Sequence, residues 1–223
     1  MDYELIRAKR KTLAVHIDNT GKIIIKAPMY LSLDKIRAFL IEKNNWIVKN
    51  QLRIQNLYNK YKNLYDYTEI MYKGRILRCC FDDVSKISIY NERVLIPKKY
   101  QPLEKLNSLK NALKRFLQSE AERVFTQKLN DFKSLGFNFI SLKIIHSKSK
   151  WGSCDSQGNI GLNFRAIMLP ESIIDYLIIH ELAHTVQLNH SKEFWKIVQA
   201  IIPSYKSLRK ELKKYNFLQE LFR

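Results

Sequence analysis

Nowhere does this chain of 223 residues run through 18 apolar residues without interruption, and no apolar stretch follows a basic start. A helix that crosses a bilayer needs about 20 such residues, and a secretory leader needs a shorter apolar core behind a basic start. Neither is expected, and the chain is expected to stay in the cytoplasm without membrane contact. Cysteine is scarce. Of the three, Cys79 and Cys80 are neighbours, where a mutual disulfide would be strained, and Cys154 has no evident partner. Free thiols are expected. The sequence also lacks a glycine-rich phosphate loop, internal repeats and low-complexity linkers.

Acidic residues are few, 21 against 39 Lys and Arg, for a formal charge of +18. A field of that size attracts polyanions. The lysines are nevertheless spread over nearly every segment, no compact basic block dominates, and no recognised nucleic-acid module accompanies them. With 46% hydrophobic and 27% charged residues the composition is that of a folded globular protein.

Periodicity predicts an α+β protein. Residues 5 to 28 read as a hairpin, with Leu13, Val15 and Ile17 alternating before the turn Asp18-Asn19-Thr20-Gly21, and Ile23 and Ile25 after it. Ser32 can cap a helix carrying Ile36, Phe39, Leu40, Trp46 and Ile47, continuing to about residue 62, with Asp34 in its first turn. Strand-like runs follow at 68–71, 75–81 and 86–97, separated by Gly74 and by a polar turn around Asn91. A second long helix is expected from about Pro102 to Leu135, because Leu106, Leu109, Leu113, Leu117, Ala121 and Val124 recur at spacings of three and four. Two strands, 140–145 and 159–164, precede a helix that begins after Pro170 and is apolar nearly all round, hence central and buried. A soft boundary near residue 98 would divide a small β-rich N-terminal part with long helices (1–97) from a catalytic part (98–223) with a short sheet and that central helix; one compact unit is the alternative.

The central helix ends in His180-Glu181-Leu182-Ala183-His184. Two imidazoles four residues apart stack on one helix face and can grip one ion, while Glu181, next to His180, is angled to reach a water on that ion. A catalytic zinc needs a third protein ligand and an open position, and His190 stands where a chain leaving the helix could turn back. Asn189 tolerates the left-handed conformation that ends helices, and Ser191 can cap a new helix whose Phe194 and Trp195 would pack the third ligand into place. An HExxH pattern also arises by chance on helix surfaces. Here, however, three of the chain's five histidines fall between 180 and 190, and the helix that carries the HExxH segment is too apolar to lie at a surface. His16 and His146 read as ordinary strand residues. Cys154 reads as structural, since a fourth protein ligand would close the position the water requires.

These residues carry a resemblance. Lys150-Trp151-Gly152-Ser153-Cys154, Gly158-Asn159-Ile160, Leu162-Asn163, Ile174-Asp175-Tyr176, the HExxH segment, and Asn189-His190-Ser191 with Phe194-Trp195 look like the YgjP-like metallopeptidases, which are related to SprT-like and WLM zinc proteases. Arg10-Lys11-Thr12 and Ala27-Pro28 resemble the family's opening hairpin. The resemblance implies a zincin-like catalytic part, one Zn2+ per chain on His180, His184 and His190, Glu181 as catalytic acid/base, and a peptide or protein substrate. The spacing of the histidines would also suit a metzincin. Gln187 stands in place of the turning glycine, though, and the four methionines, at 1, 29, 71 and 168, all precede His190, so no downstream Met-turn exists.

Three functions follow from residues and resemblance together. In peptide hydrolysis, Glu181 takes a proton from water and passes it to the leaving amine, and an edge strand, here Asn159 to Phe164, pairs with the extended substrate. Metal-dependent hydrolysis of nucleoside triphosphates is reported for some members of the resembled family and would use Lys148, Lys150 and Arg165. Three histidines with one carboxylate suit zinc better than the oxygen-rich set magnesium prefers. The third is a nucleic-acid-binding module, or a protease recruited to nucleic acid as SprT-like proteins are. Candidate substrate or oxyanion contacts are Asn163, Arg165 and Tyr176.

Overall fold

The computed structural model describes residues 2–18, 21–101 and 105–222. The chain divides into two compact units, 1–62 and 63–223. Residue 98, where the order of expected elements suggested a soft boundary, falls inside the second. The tips of the expected 18–21 turn at Asn19 and Thr20, and the expected helix start at Pro102, lie outside the described residues.

In the first unit, β2 (Ala14–Ile17) and β3 (Ile23–Pro28) pair antiparallel with Val15 opposite Ile25, as the alternation predicts. A strand not foreseen, β1 (Glu4–Ala8), pairs parallel with β3 on its other side, giving the order β1-β3-β2. Because side chains alternate between faces, Ile23, Ile25 and Ala27 all point inward, against Ile36, Leu40 and Ile47. Those three come from α1 (Leu33–Glu42) and α2 (Asn44–Lys60). Ser32 caps α1, accepting from the backbone N–H of Lys35. The single helix expected to residue 62 is interrupted at Lys43, whose φ of −91° and ψ of 2° leave the helical region.

The second unit opens with α3 (Lys62–Tyr65) and a sheet of order β4-β5-β7-β6, formed by β4 (Glu69–Tyr72), β5 (Arg75–Asp82), β6 (Ser88–Tyr90) and β7 (Arg93–Pro97). Asn91 and Glu92 both take positive φ in the tight turn between β6 and β7. A 26-residue helix, α4 (Leu106–Asp131), buries Leu109, Leu113, Leu117, Ala121, Val124 and Leu129 along one stripe. A second sheet has the order β8-β10-β9, from β8 (Ser141–Ile145), β9 (Gly152–Cys154) and β10 (Asn159–Asn163). After a 3₁₀ segment, Phe164–Met168, come α5 (Glu171–Ala183), α6 (Lys192–Ile201) and α7 (Tyr205–Leu212). Among the described residues, no helix is long and apolar enough to cross a membrane.

Helix α5 is largely buried. Nine of its thirteen residues are buried, Ile173, Ile174, Ile178, Ile179 and Leu182 among them. Each fully buried aliphatic side chain of this size contributes about 1.5–3 kcal/mol through removal of apolar surface from water. Its start is fixed from outside. The turn between β4 and β5 places Lys73 and Gly74 against the entry to the helix, with backbone N–H groups donating to Ile167 O and Met168 O at 2.8 and 3.1 Å. Gly74 has a φ of +80°, and a Cβ there would stand 2.8 Å from Pro170 Cα, so both conformation and space require glycine. Lys73 also pairs with Glu171 at 2.8 Å, and Lys128 of α4 with Asp175 at 2.6 Å.

Candidate metal centre

His180 and Glu181 occupy the last turn of α5, and His184 caps its C-terminus. The chain then reverses through 185–191 and enters α6, bringing His190 back over the helix end. The reversal uses side chains where a glycine would have used backbone freedom. Gln187 donates from Nε2 to Asn189 Oδ1 and to Ser191 Oγ, at 3.1 and 3.2 Å, and Asn189 Oδ1 accepts from the Ser191 backbone N–H at 3.1 Å. Asn189 is not among the residues with positive φ, so it serves as a side-chain acceptor and not as the left-handed residue its type suggested. Ser191 caps α6, accepting from Phe194 N.

The result is that His180, His184 and His190 each present a ring nitrogen, and the three lie within 4.8 Å of one another. His180 Nε2 and His190 Nε2 face each other at 3.0 Å. His184 Nδ1 lies 3.1 Å from Gln187 O. A carbonyl can only accept, so the proton sits on Nδ1 and the Nε2 lone pair is left for a ligand role. Phe194 packs against all three imidazoles at centroid distances of 4.5 to 4.9 Å, and Trp195 against His180 and His190 at 5.7 and 5.5 Å. Burial, then the neighbouring His184, His190 and Arg209, depress the pKa of His180 to about 3, and burial, His184 and Arg209 also lower that of His190. Both imidazoles are therefore neutral and able to donate lone pairs at neutral pH. Three converging imidazoles fit a borderline-soft divalent ion such as zinc and leave room for a further ligand.

Glu181 is only 5% exposed, and burial pushes its carboxyl up to about 8, against a small opposing pull from Lys150. An isolated buried carboxylate is costly, so its presence on an apolar helix calls for a use. A residue the sequence reading passed over sits against it: a Cβ on Gly152 would lie 2.7 Å from Glu181 Cδ and 2.8 Å from its Cγ. The backbone of β9 thus forms one wall of the carboxylate's slot. Gly152 belongs to the Lys150–Cys154 run, and its place there, in a strand with no turn to explain it, was the signal that could have found it.

The remaining candidates separate. Tyr176 is buried one helical turn before His180, with ring centroids 5.9 Å apart, and lines the same cavity as His180 and Glu181. Its phenol is raised to about 12, chiefly by burial, and stays a donor at neutral pH. Asn163 and Arg165 are committed elsewhere. The Asn163 amide donates to Ser147 O and Lys150 O at 2.7 and 2.9 Å, which shapes the loop ahead of β9. Arg165 is buried with Nε donating to Leu221 O at 2.6 Å. The strand expected to lie at the sheet edge, β10, is its centre: β8 pairs with it in parallel and β9 antiparallel, so its hydrogen bonds are taken. The open edge beside α5 belongs to β9. Cys154 keeps its proton, its pKa raised by burial and by Glu181 to about 11, and His16 and His146 stand outside the cluster.

A buried glutamate beside three converging imidazoles is the equipment of a metal-dependent hydrolase. The family model of the YgjP-like metallopeptidase domain matches residues 11–215, and the chain belongs to that family. It is a metallopeptidase, acting on peptide or protein. Among solved structures, the crystal structure of the metallopeptidase zymogen abylysin of Pyrococcus abyssi is similar at 26% identity, covering 40% of this chain and 92% of that one, with a TM-score of 0.38. No curated protein matches the chain.

Proposed function

We propose that the chain is a zinc peptidase in which His180, His184 and His190 hold one ion and Glu181 is the general base. The observation that carries this reading is the convergence of three ring nitrogens within 4.8 Å beside a carboxylate that burial has made basic. The ion supplies Lewis acidity, which lowers the pKa of water and polarises a scissile carbonyl. The chain's own residues do the rest. Glu181 accepts the proton of the attacking water and returns it to the departing amine, and its burial raises its affinity for that proton. Gly152 keeps the slot open in which the Glu181 carboxylate lies. Tyr176, protonated and next to His180, is the donor available to a developing oxyanion. The peptide adds to the free edge of β9 in extended form.

The test pairs metal content with turnover. His184→Ala and His190→Ala should each lose most of the roughly one equivalent of zinc expected by elemental analysis. Glu181→Gln should keep the zinc and the fold while turnover of a peptide falls by roughly 10² to 10⁴. Full zinc retention in both histidine variants would refute the ligand set, and near wild-type turnover by Glu181→Gln would refute the base.

A further inference from the structure

A cavity of about 320 Å³ opens beside the metal centre, with Glu181, His180 and Tyr176 along one side. Its lining also carries charge. Lys150, Arg209 and Lys213 all line it, and the one carboxylate among the lining residues is the buried Glu181. None of the three cations forms an ion pair among the described residues, although carboxylates pair with Lys22, Arg37, Lys43, Lys73, Arg75, Lys98, Arg123 and Lys128 elsewhere in the chain. Three cations lining one cavity, none within ion-pair distance of a carboxylate among the described residues, favour an anion that joins them.

Arg209 is also held in place. Its guanidinium carbon lies 4.9 Å above the Trp195 ring, which in turn stacks on Tyr205 at 5.1 Å and 15°. Stacking fixes the plane of the guanidinium while leaving its N–H edge free, the presentation that suits a two-pronged contact with a carboxylate. Lys150 comes from the loop before β9 and Lys213 from the residue after α7, so the cations reach the cavity from separate segments of the chain.

We propose that this cavity is a substrate subsite for a carboxylate, so that the enzyme selects peptides bearing an acidic group next to the scissile bond. The inference rests on the reading of the histidine triad and Glu181 as the catalytic centre. The carboxylate has two possible sources, the side chain of Asp or Glu and the C-terminus of the substrate itself.

Both are separated by one peptide set assayed on the zinc-loaded full chain. Peptides differing only in Asp, Asn or Lys at each position flanking the cleaved bond are made with free and with amidated C-termini. An Asp over Asn preference of about tenfold or more in kcat/KM that survives amidation identifies the side chain; a preference for the free terminus that amidation removes identifies the α-carboxylate. Arg209→Glu and, separately, the exposed Lys213→Glu should shrink or reverse the ratio. A second readout needs no turnover: equilibrium binding of an acetylated Asp-containing tripeptide to zinc-loaded Glu181→Gln, which either charge reversal should weaken about tenfold. Cleavage with equal rates for Asp and Asn peptides and for both termini overturns the subsite and leaves the peptidase reading standing. Charge-sensitive tripeptide binding without cleavage of any peptide does the opposite. A short oligonucleotide that displaces the tripeptide at equal concentration and about 0.15 M salt, where longer-range attraction is screened, overturns it in favour of phosphate.

Discussion

The side chain of Glu181 is defined as much by what is missing from Gly152 as by its own chemistry. With a hydrogen in place of a methyl group, the β9 backbone closes on the carboxylate and fixes where it points. Gly152→Ala should therefore push the carboxylate away from the triad without touching any proposed ligand. Turnover should fall by about 10²-fold, in line with the sensitivity of catalysis to displacements of about 1 Å, while zinc content stays near that of the wild type. Kinetics beside elemental analysis decide this, and unchanged turnover would mean that the slot has no bearing on the base. His180, Glu181, His184 and His190 were readable as a candidate site because their spacing encodes one helix face and a return. Gly152 was not, because its contribution is a space whose occupant lies elsewhere in the sequence. Asn163 and Arg165 attracted notice as polar residues near the motif. Their hydrogen bonds to Ser147, Lys150 and Leu221 depend on loop paths that no local pattern records.

At the scale of elements, apolar character all round α5 announced a buried helix, and Ser32 and Ser191 announced the caps of α1 and α6. The cap of α6 has a second duty, since Ser191 Oγ also accepts from Gln187, whose backbone carbonyl orients His184. Ser191→Ala should cost about 1 kcal/mol of stability, as loss of an N-cap does. It should also weaken zinc binding about tenfold, as loss of an outer-sphere support does. Thermal melting and competition with a chelator measure the two effects. Wild-type affinity in a destabilised variant would separate the cap from the metal. Strand pairing was less legible. The apolar residues of β10 gave a strand but not its neighbours, and β1 and β8 pair in parallel with the strand after next, skipping the adjacent β2 and β9, so pairing order follows from packing and not from local sequence. The interruption at Lys43 was hidden for a related reason, because the residues on both sides of it favour helix.

For the molecule as a whole, the order of expected elements suggested a soft boundary near residue 98 or one compact unit, whereas the chain divides between residues 62 and 63. The sheet of β4 to β7 belongs to the unit that carries the histidines because the Lys73–Gly74 turn is hydrogen-bonded to the entry of α5. Composition cannot register a contact between a turn and a segment so far along the chain. The charge of +18 surrounds the carboxylate subsite with a field of the same sign. If an acidic peptide is drawn in by that field, its kcat/KM should fall several-fold as ionic strength rises from about 0.05 to about 0.5 M, because the screening length contracts from about 14 to about 4 Å. The neutral Asn peptide should change little. Parallel salt curves for the two would show that the charge takes no part in substrate capture.

The three histidines differ in how far solvent reaches them: His184 is buried, His180 half-buried and His190 exposed. Two stand on a rigid helix end and the third on a turn held by side-chain hydrogen bonds, which water can replace one at a time. Metal exchange should accordingly have a direction. If the triad holds the ion as proposed, release should begin with His190 swinging outward on the 185–191 turn, and the lifetime of the bound ion should then follow the opening rate of that turn.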